Sequence, residues 1–156
     1  RGMTEMLEAQ AERARRTGGR YGVLWLDVDE FKAVNDQYGH GVGDRALVVV
    51  GALVKESVRA YDQVARWGGD EFLVLLAPCD AITLASIGER IRMSVEERAA
   101  QQVGAAITVS VGGYLAADEA LETVLQRADA ALYAAKAAGR NALRVDGIGH
   151  DEKVVS

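Results

Sequence analysis

The sequence predicts an α/β sandwich, a central mixed but mostly antiparallel five-stranded sheet flanked by helices. Three observations lead there. Strand-like apolar runs at 21–27, 70–77 and 105–115 alternate with long segments of helical periodicity, the pattern of sheet and helix layers sharing one core. Two of the strand-like segments, 62–67 and 70–77, are separated only by Gly68-Gly69, which signals a hairpin and therefore a sheet that is not wholly parallel. The chain has 156 residues, 49% of them apolar, enough for one domain with a substantial core.

The elements follow in order. Residues 3–16 read as a helix with Met3, Met6 and Leu7 on one side, stopped by Thr17-Gly18-Gly19. The run YGVLWLD, 21–27, suits a central strand covered on both faces. A short helix over 30–38 turns Phe31 and Val34 inward. A glycine-rich turn, Gly39 to Gly43, precedes a helix over about 44–58 with a Leu47, Val50, Leu53, Val54 stripe. The hairpin comes next, its Gly-Gly pair suited to a primed turn with positive φ, and then a helix over about 80–98. In 105–115, Ile107, Val109 and Val111 alternate with Thr108 and Ser110, which predicts a half-buried strand. Residues 118–138 form a helix with Leu121, Val124, Leu125, Ala128 and Leu132 on the core side, and Gly139 provides a left-handed cap. A short strand over 141–145 closes the domain, and 146–156 read as a loose polar tail. There is no repeat and no linker, so 1–156 is one domain.

Composition excludes several functions. A net charge of −5 argues against a nucleic-acid polymer as partner. It does not argue against a small nucleotide, because a pocket and a metal can reverse the local sign. The single cysteine, Cys79, beside Pro78, excludes an internal disulfide framework and reads as a small buried hydrophobe. No apolar run approaches the roughly 20 residues of a membrane span. The chain opens at Arg1 directly into a helical pattern, as expected of a domain cut from a longer protein with an upstream part.

Charged residues collect at three places. The first strand ends in Asp27-Val28-Asp29, and the second hairpin strand begins with Asp70-Glu71. If those strands pair antiparallel, three or four carboxylates converge within a few ångströms at one sheet edge. Such a cluster repels itself unless a cation sits in it. Hard oxygen ligands, including a backbone carbonyl such as that of Val28, suit Mg²⁺, which commonly also binds phosphates. Gly68 and Gly69 let a phosphate chain or ribose approach the backbone. The plainer alternative is a solvated hairpin tip.

Lys32 and Asn35, three apart, share a helix face opposite Phe31 and Val34. An amide and a carboxylate, Asn35 and Asp44, could read a guanine edge. The alternatives weigh equally: Asp44 as helix N-cap, Asn35 as turn former, His40 as loop histidine. Lys136 and Arg140, followed by Asn141, end the last helix. They either complement its dipole or hold the β- and γ-phosphates of a nucleotide.

Taken together these residues resemble a known family. Arg66-Trp67-Gly68-Gly69-Asp70-Glu71-Phe72, preceded by Leu26-Asp27-Val28-Asp29-x-Phe31-Lys32-x-x-Asn35-Asp36, is similar to the GGDEF domain of diguanylate cyclases. Gly39-His40-x-x-Gly43-Asp44, Ser110-Val111-Gly112 and the segment from Ala128 to Asn141 fit the same pattern, so the resemblance covers about 20–145. It implies a fold like nucleotidyl cyclases and polymerase palm domains, and condensation of two GTP to cyclic di-GMP with release of two pyrophosphates. It implies that Asp27, the Val28 carbonyl and Asp70 bind Mg²⁺, with Mn²⁺ as a substitute, and that Glu71 assists. Asp70 would be the base for the 3′-hydroxyl, and Lys32 would stabilise the phosphates in the transition state. Asn35, His40 and Asp44 would hold the substrate with Gly68 and Gly69 beside it, and Lys136 and Arg140 would contact the terminal phosphates. Both ends of each nucleotide must react, so catalysis needs a homodimer.

Arg59-x-x-Asp62, just before Arg66, matches the family's inhibitory site for the product, with Arg90 as a second arginine. Its plainer reading is a charge pair at a helix end. The family's Asp-x-Leu-Thr motif, which couples upstream sensors, would stand before the first residue. GTP use implies the cytoplasm, with a membrane anchor elsewhere left open. The rival function is a non-catalytic module of the same family that binds cyclic di-GMP or GTP as a receptor. The intact Gly-Gly-Asp-Glu-Phe favours the enzyme. A cyclase for ATP is disfavoured because the Asp44 charge would face an acceptor in adenine.

Overall fold

In the computed structural model, which describes residues 2–147, ten elements alternate as the sequence implied. They are α1 (Met3–Thr17), β1 (Tyr21–Val28), α2 (Phe31–Tyr38), α3 (His40–Ser57), β2 (Gln63–Arg66), β3 (Glu71–Leu76), α4 (Ala81–Val103), β4 (Val109–Ala116), α5 (Leu121–Ala137) and β5 (Leu143–Asp146). The strand order is β2-β3-β1-β4-β5. β1 pairs antiparallel with both β3 and β4, β2 antiparallel with β3, and only β4 and β5 run parallel. The mixed, mostly antiparallel five-stranded sheet is therefore as predicted.

Strand alternation divides the core into two layers. Leu24, Leu26 and Val28 face one way and pack with Val34, with Leu47, Val50, Leu53 and Val54 of α3, and with Leu84, Ile87 and Ile91 of α4. Tyr21 and Val23 face the other way, against Met3, Leu7, Ala11 and Ala14 of α1 and Val124 and Ala128 of α5. β1 is buried along nearly its whole length because helices cover both faces. β4 is likewise buried at all eight positions, so the half-buried strand expected from its alternation is corrected. Ser110 on its second face is buried against a protein partner, as described below.

Helix ends follow their chemistry. α1 stops at Gly18, whose φ of 74° accommodates the left-handed turn. α4 starts where Asp80 Oδ1 accepts from Thr83 N–H at 2.7 Å. α5 ends in paired bonds, Gly139 N–H to Lys136 O and Arg140 N–H to Ala135 O, with Gly139 at φ 112°. Two local expectations fail. The glycine stretch before Asp44 is not a turn: α3 begins at His40, because Gly39 alone at φ 91° makes the reversal. Asp44 thus lies inside α3 and is not its N-cap. Gly68 and Gly69 have no positive φ; a four-residue loop, 67–70, replaces the primed turn, closed by Trp67 N–H to Glu71 O at 2.8 Å. Cys79 is buried, as expected, and burial pushes its thiol up to about 12. The predicted tail lies outside the described residues beyond Gly147. No helix among the described residues is long and apolar enough to cross a membrane.

Candidate active site

The site forms where β1 ends and β3 begins. The antiparallel register sets Asp27 opposite Glu71, and Val28 N–H donates to the Asp70 carbonyl at 3.1 Å. Both acidic strand ends thus reach one edge of the sheet. Asp27 falls on the α1/α5 side, where the last turn of α5 brings Lys136 Nζ onto Asp27 Oδ2. Asp27 is only 5% exposed. Burial raises its pKa; the hydrogen bond and charge of Lys136 oppose that, and the nearby Asp70 and Asp29 add to it. Burial works against the Lys136 ammonium as well, but Asp27, Asp70 and Glu71 together leave its pKa raised.

The full convergence of carboxylates does not occur. Asp29 turns away toward β4, accepting from Thr108 Oγ1 at 2.7 Å, Ser110 Oγ at 2.6 Å and Asn141 N–H at 2.9 Å. This is where the polar face of β4 finds its partners. Glu71 Oε1 accepts from the Trp25 indole N–H at 3.1 Å. Among the described residues no three Asp, Glu, His or Cys side chains gather as metal ligands. What remains is an unbalanced edge. Asp27, Asp70 and Glu71 bring three formal negative charges to one ammonium, a deficit of two. Asp27 Oδ1 is buried without any partner. A buried carboxylate oxygen left bare costs one to several kcal/mol, and a cation would satisfy it.

Beside this edge, on the α2/α3 side, opens a cleft of about 460 Å³. α2 supplies Phe31, Lys32 and Asn35; α3 supplies His40, Asp44 and Leu47; the hairpin supplies Arg66, Gly69 and Asp70. Phe31 therefore lines the same cleft as Lys32 and Asn35 and is not turned fully away. Asn35 Oδ1 is buried and also lacks a partner. Gly43 makes room for it: a Cβ there would lie 1.7 Å from Asn35 Oδ1. If the cleft takes a guanine nucleotide, as the resemblance implies, Gly43→Ala is expected to displace the Asn35 amide and weaken that binding at least about tenfold, the scale of losing a hydrogen bond in a buried site. Calorimetric titration of the variant with a GTP analogue checks this.

Arg66 and Trp67 stood in the motif without an assigned role, and Trp25 carried no signal of its own. Arg66 clamps the hairpin loop, its Nε and Nη2 donating to the Gly69 carbonyl at 3.1 and 2.7 Å. Trp25 and Trp67 meet edge to face with ring centroids 6.3 Å apart, bracing the loop from the α1/α5 side. Gly69 meets no atom within 4 Å where a side chain would project, so its backbone is open to a ligand. Arg140 is exposed, at φ 64° in the turn after α5, and Lys136 contacts Asp27.

Arg59, Asp62 and Arg90 lie elsewhere. Arg59 Nε and Nη2 donate to the buried Asp62 carboxylate, each at 2.9 Å, and Nη2 also reaches the Pro78 carbonyl at 2.6 Å. Its guanidinium lies 4.8 Å from the Tyr61 ring centroid. Arg90 Nη1 donates to Ser57 O at 3.0 Å. In this state the pair at 59 and 62 is closed on itself, as its plainer reading held.

A sheet of this order, with acidic strand ends beside a polar cleft, defines the palm-like architecture of nucleotidyl cyclases. The family described as "Diguanylate cyclase, GGDEF domain" matches residues 1–142, and the chain belongs to it. It is 39% identical over 123 residues to Diguanylate cyclase A of Treponema denticola, covering 76% of this chain and 33% of that protein. It is 40% identical over 132 residues to Diguanylate cyclase DosC of Escherichia coli, covering 82% and 29% respectively. The chain thus spans about a third or less of these curated relatives. In structure it is similar to the coiled coil and GGDEF domain of DgcB from Caulobacter crescentus in complex with c-di-GMP, with a TM-score of 0.85 and 32% identity over 92% of this chain and 78% of that one.

Proposed function

We propose that this domain is a diguanylate cyclase that condenses two GTP molecules into cyclic di-GMP and two pyrophosphates. One observation carries the reading. Among the described residues three buried side-chain polar atoms lack a partner, and two of them belong to this region: Asp27 Oδ1 at the strand end, beside Asp70 of the cleft lining, and Asn35 Oδ1 in the adjoining cleft. One awaits a cation and the other a hydrogen-bond donor, which is what a metal–purine nucleotide brings.

The donor set suits a hard divalent cation. The orphaned Asp27 oxygen, the Val28 carbonyl, Asp70 and Glu71 would hold Mg²⁺, or Mn²⁺ in its place, leaving positions for phosphate and water. Bound there, the ion would neutralise phosphate charge and act as Lewis acid at the α-phosphate. Asn35 and Asp44 would read guanine, the carboxylate accepting from N1–H and N2–H, and His40 would close the cleft beside the nucleotide. Asp70 takes the proton of the 3′-hydroxyl of one GTP. The oxygen forms a bond to the α-phosphorus of the second GTP, and the bond to the departing pyrophosphate breaks. Lys32 offsets charge on the pentavalent phosphorus, and Lys136, once released from Asp27, joins Arg140 on the terminal phosphates. Because each domain holds one nucleotide, the same transfer must run twice across a homodimer.

Product would inhibit at Arg59 and Asp62, assisted by Arg90. Arg59 must exchange its hydrogen bonds to Asp62 and Pro78 for the product's guanine. Arg59→Ala is expected to raise late-time turnover and to weaken cyclic di-GMP binding at least about tenfold, the lower end of losing a bidentate base contact. Unchanged product affinity in calorimetry removes Arg59 from that site. The cyclase reading is tested by incubating concentrated protein with GTP and Mg²⁺. It expects pyrophosphate and cyclic di-GMP in a two-to-one ratio, at a rate that rises faster than linearly with protein concentration. Binding of GTP without pyrophosphate release would leave the domain a receptor.

A further inference from the structure

The Trp25 indole holds one oxygen of the carboxylate that faces Asp27, and we propose that Trp25 is a positioning residue that sets the Glu71 side chain for divalent-cation binding. The inference rests on the reading of Glu71 as an assisting metal ligand. It adds a residue that the site's acidic pattern does not contain.

The geometry begins with register. Trp25 pairs with Leu73, two pairs along from Asp27 and Glu71. Alternation then puts Trp25, Asp27 and Glu71 on the same sheet face, with the Trp25 side chain diagonal to Glu71. The indole Nε1–H donates to Glu71 Oε1 at 3.1 Å. Glu71 Oε2 makes no hydrogen bond among the described residues. A glutamate has three rotatable side-chain bonds, so an unheld Glu71 would sample many positions at a cleft edge. Tying one oxygen removes that freedom and leaves the other for a cation.

Trp25 is itself held. Its ring packs in the partly buried rim of the α1/α5 core and meets Trp67 edge to face at 76°. Trp67 in turn anchors the loop, its N–H donating to Glu71 O at 2.8 Å. The Glu71 backbone and side chain are thus fixed by two tryptophans, Trp67 in the loop between β2 and β3 and Trp25 on the neighbouring strand β1. An outer residue that donates to a ligating carboxylate orients it and tunes affinity about 10–100-fold. Indole suits this role, since it is a donor only and cannot compete for the cation.

The chain has two tryptophans, so its indole emission reports on this spot alone. The test titrates Mn²⁺ into the chain saturated with α,β-methylene-GTP and reads free Mn²⁺ by electron paramagnetic resonance. Trp25→Phe, which keeps a ring but loses the N–H, is expected to weaken the metal midpoint about tenfold. Its melting temperature and its affinity for the analogue without metal stay as in the parent chain. In a Glu71→Gln background the same substitution is expected to shift nothing, because its effect runs through the Glu71 carboxylate. An unshifted midpoint, or an equal shift in both backgrounds, overturns the proposal while leaving the metal site standing. A parent chain that takes up no Mn²⁺ overturns both. Should Trp25→Phe not fold, Trp67→Phe leaves Trp25 as the sole indole. Its emission is expected to change on Mg²⁺ loading with the analogue; emission indifferent to Mg²⁺ overturns the proposal.

Discussion

Asp70→Ala is expected to lower turnover at least about a thousandfold while the protein melts as before. Asp70 contributes to the structure through its backbone, whose carbonyl accepts from Val28 N–H. Its carboxylate makes no hydrogen bond or ion pair among the described residues, yet lines the cleft and bears on the charges of Asp27 and Lys136. Removing it should therefore relieve repulsion in the apo protein, not break a contact. On the proposed role, general-base catalysis alone is worth about 10²–10⁴-fold, and loss of the proposed metal ligand adds to that. Steady-state release of pyrophosphate, read beside thermal denaturation, checks both halves. A variant with near-parental rate removes Asp70 from the chemistry.

Gly112→Ala is expected to have the largest effect on stability. Gly112 stands in the middle of β4, where α5 crosses with no side chain between the two backbones. A Cβ at 112 would lie 2.1 Å from Leu132 N and 2.6 Å from Ala128 O. Backbone atoms cannot rotate aside as a side-chain tip can, so the helix must lift off the sheet. Overpacking of this kind costs about 3 kcal/mol or more. For a chain of this size that lowers the melting temperature by roughly 6–12 °C, taking 2–4 °C per kcal/mol. Activity should fall with it, because α5 carries Lys136 to Asp27. A variant melting with the parent chain would mean that α5 does not press on β4 as described.

The contrast between these two residues explains what the sequence could and could not yield. The fold was readable because its strands are long apolar runs and its helices carry clear stripes. The Gly68-Gly69 hairpin made the β2–β3 pairing readable, whereas the meeting of the acidic ends rested on an assumed antiparallel pairing of β1 with β3, which the structure shows. Side-chain direction was not readable. Asp27 and Asp29 have the same alternation parity, but Asp29 lies past the end of β1, and Thr108, Ser110 and the Asn141 amide capture it. Only the tertiary approach of β4 and the α5–β5 turn decides that. Lys136 was placed at the right end of the molecule, but its choice of Asp27 depends on how closely α5 lies on β4. That closeness is set by Gly112, which in the sequence looks like an interruption in a strand. Asp44 resembled an N-cap because Gly41 and Gly43 looked like a turn. They lie inside α3, where Gly43 gives Asn35 its space. Trp25 was hidden because one indole in an apolar strand reads as core.

The central claim is that a divalent cation joins the ends of β1 and β3 beside the cleft lined by Asn35 and Asp44. A crystal grown with Mn²⁺ and α,β-methylene-GTP, measured at the manganese absorption edge, locates the ion directly. The account predicts an anomalous peak in contact with Asp27 and Asp70, with Lys136 moved from Asp27 toward the phosphates and guanine between Asn35 and Asp44. A nucleotide bound with Lys136 still on Asp27 and no manganese between the two strand ends would contradict it.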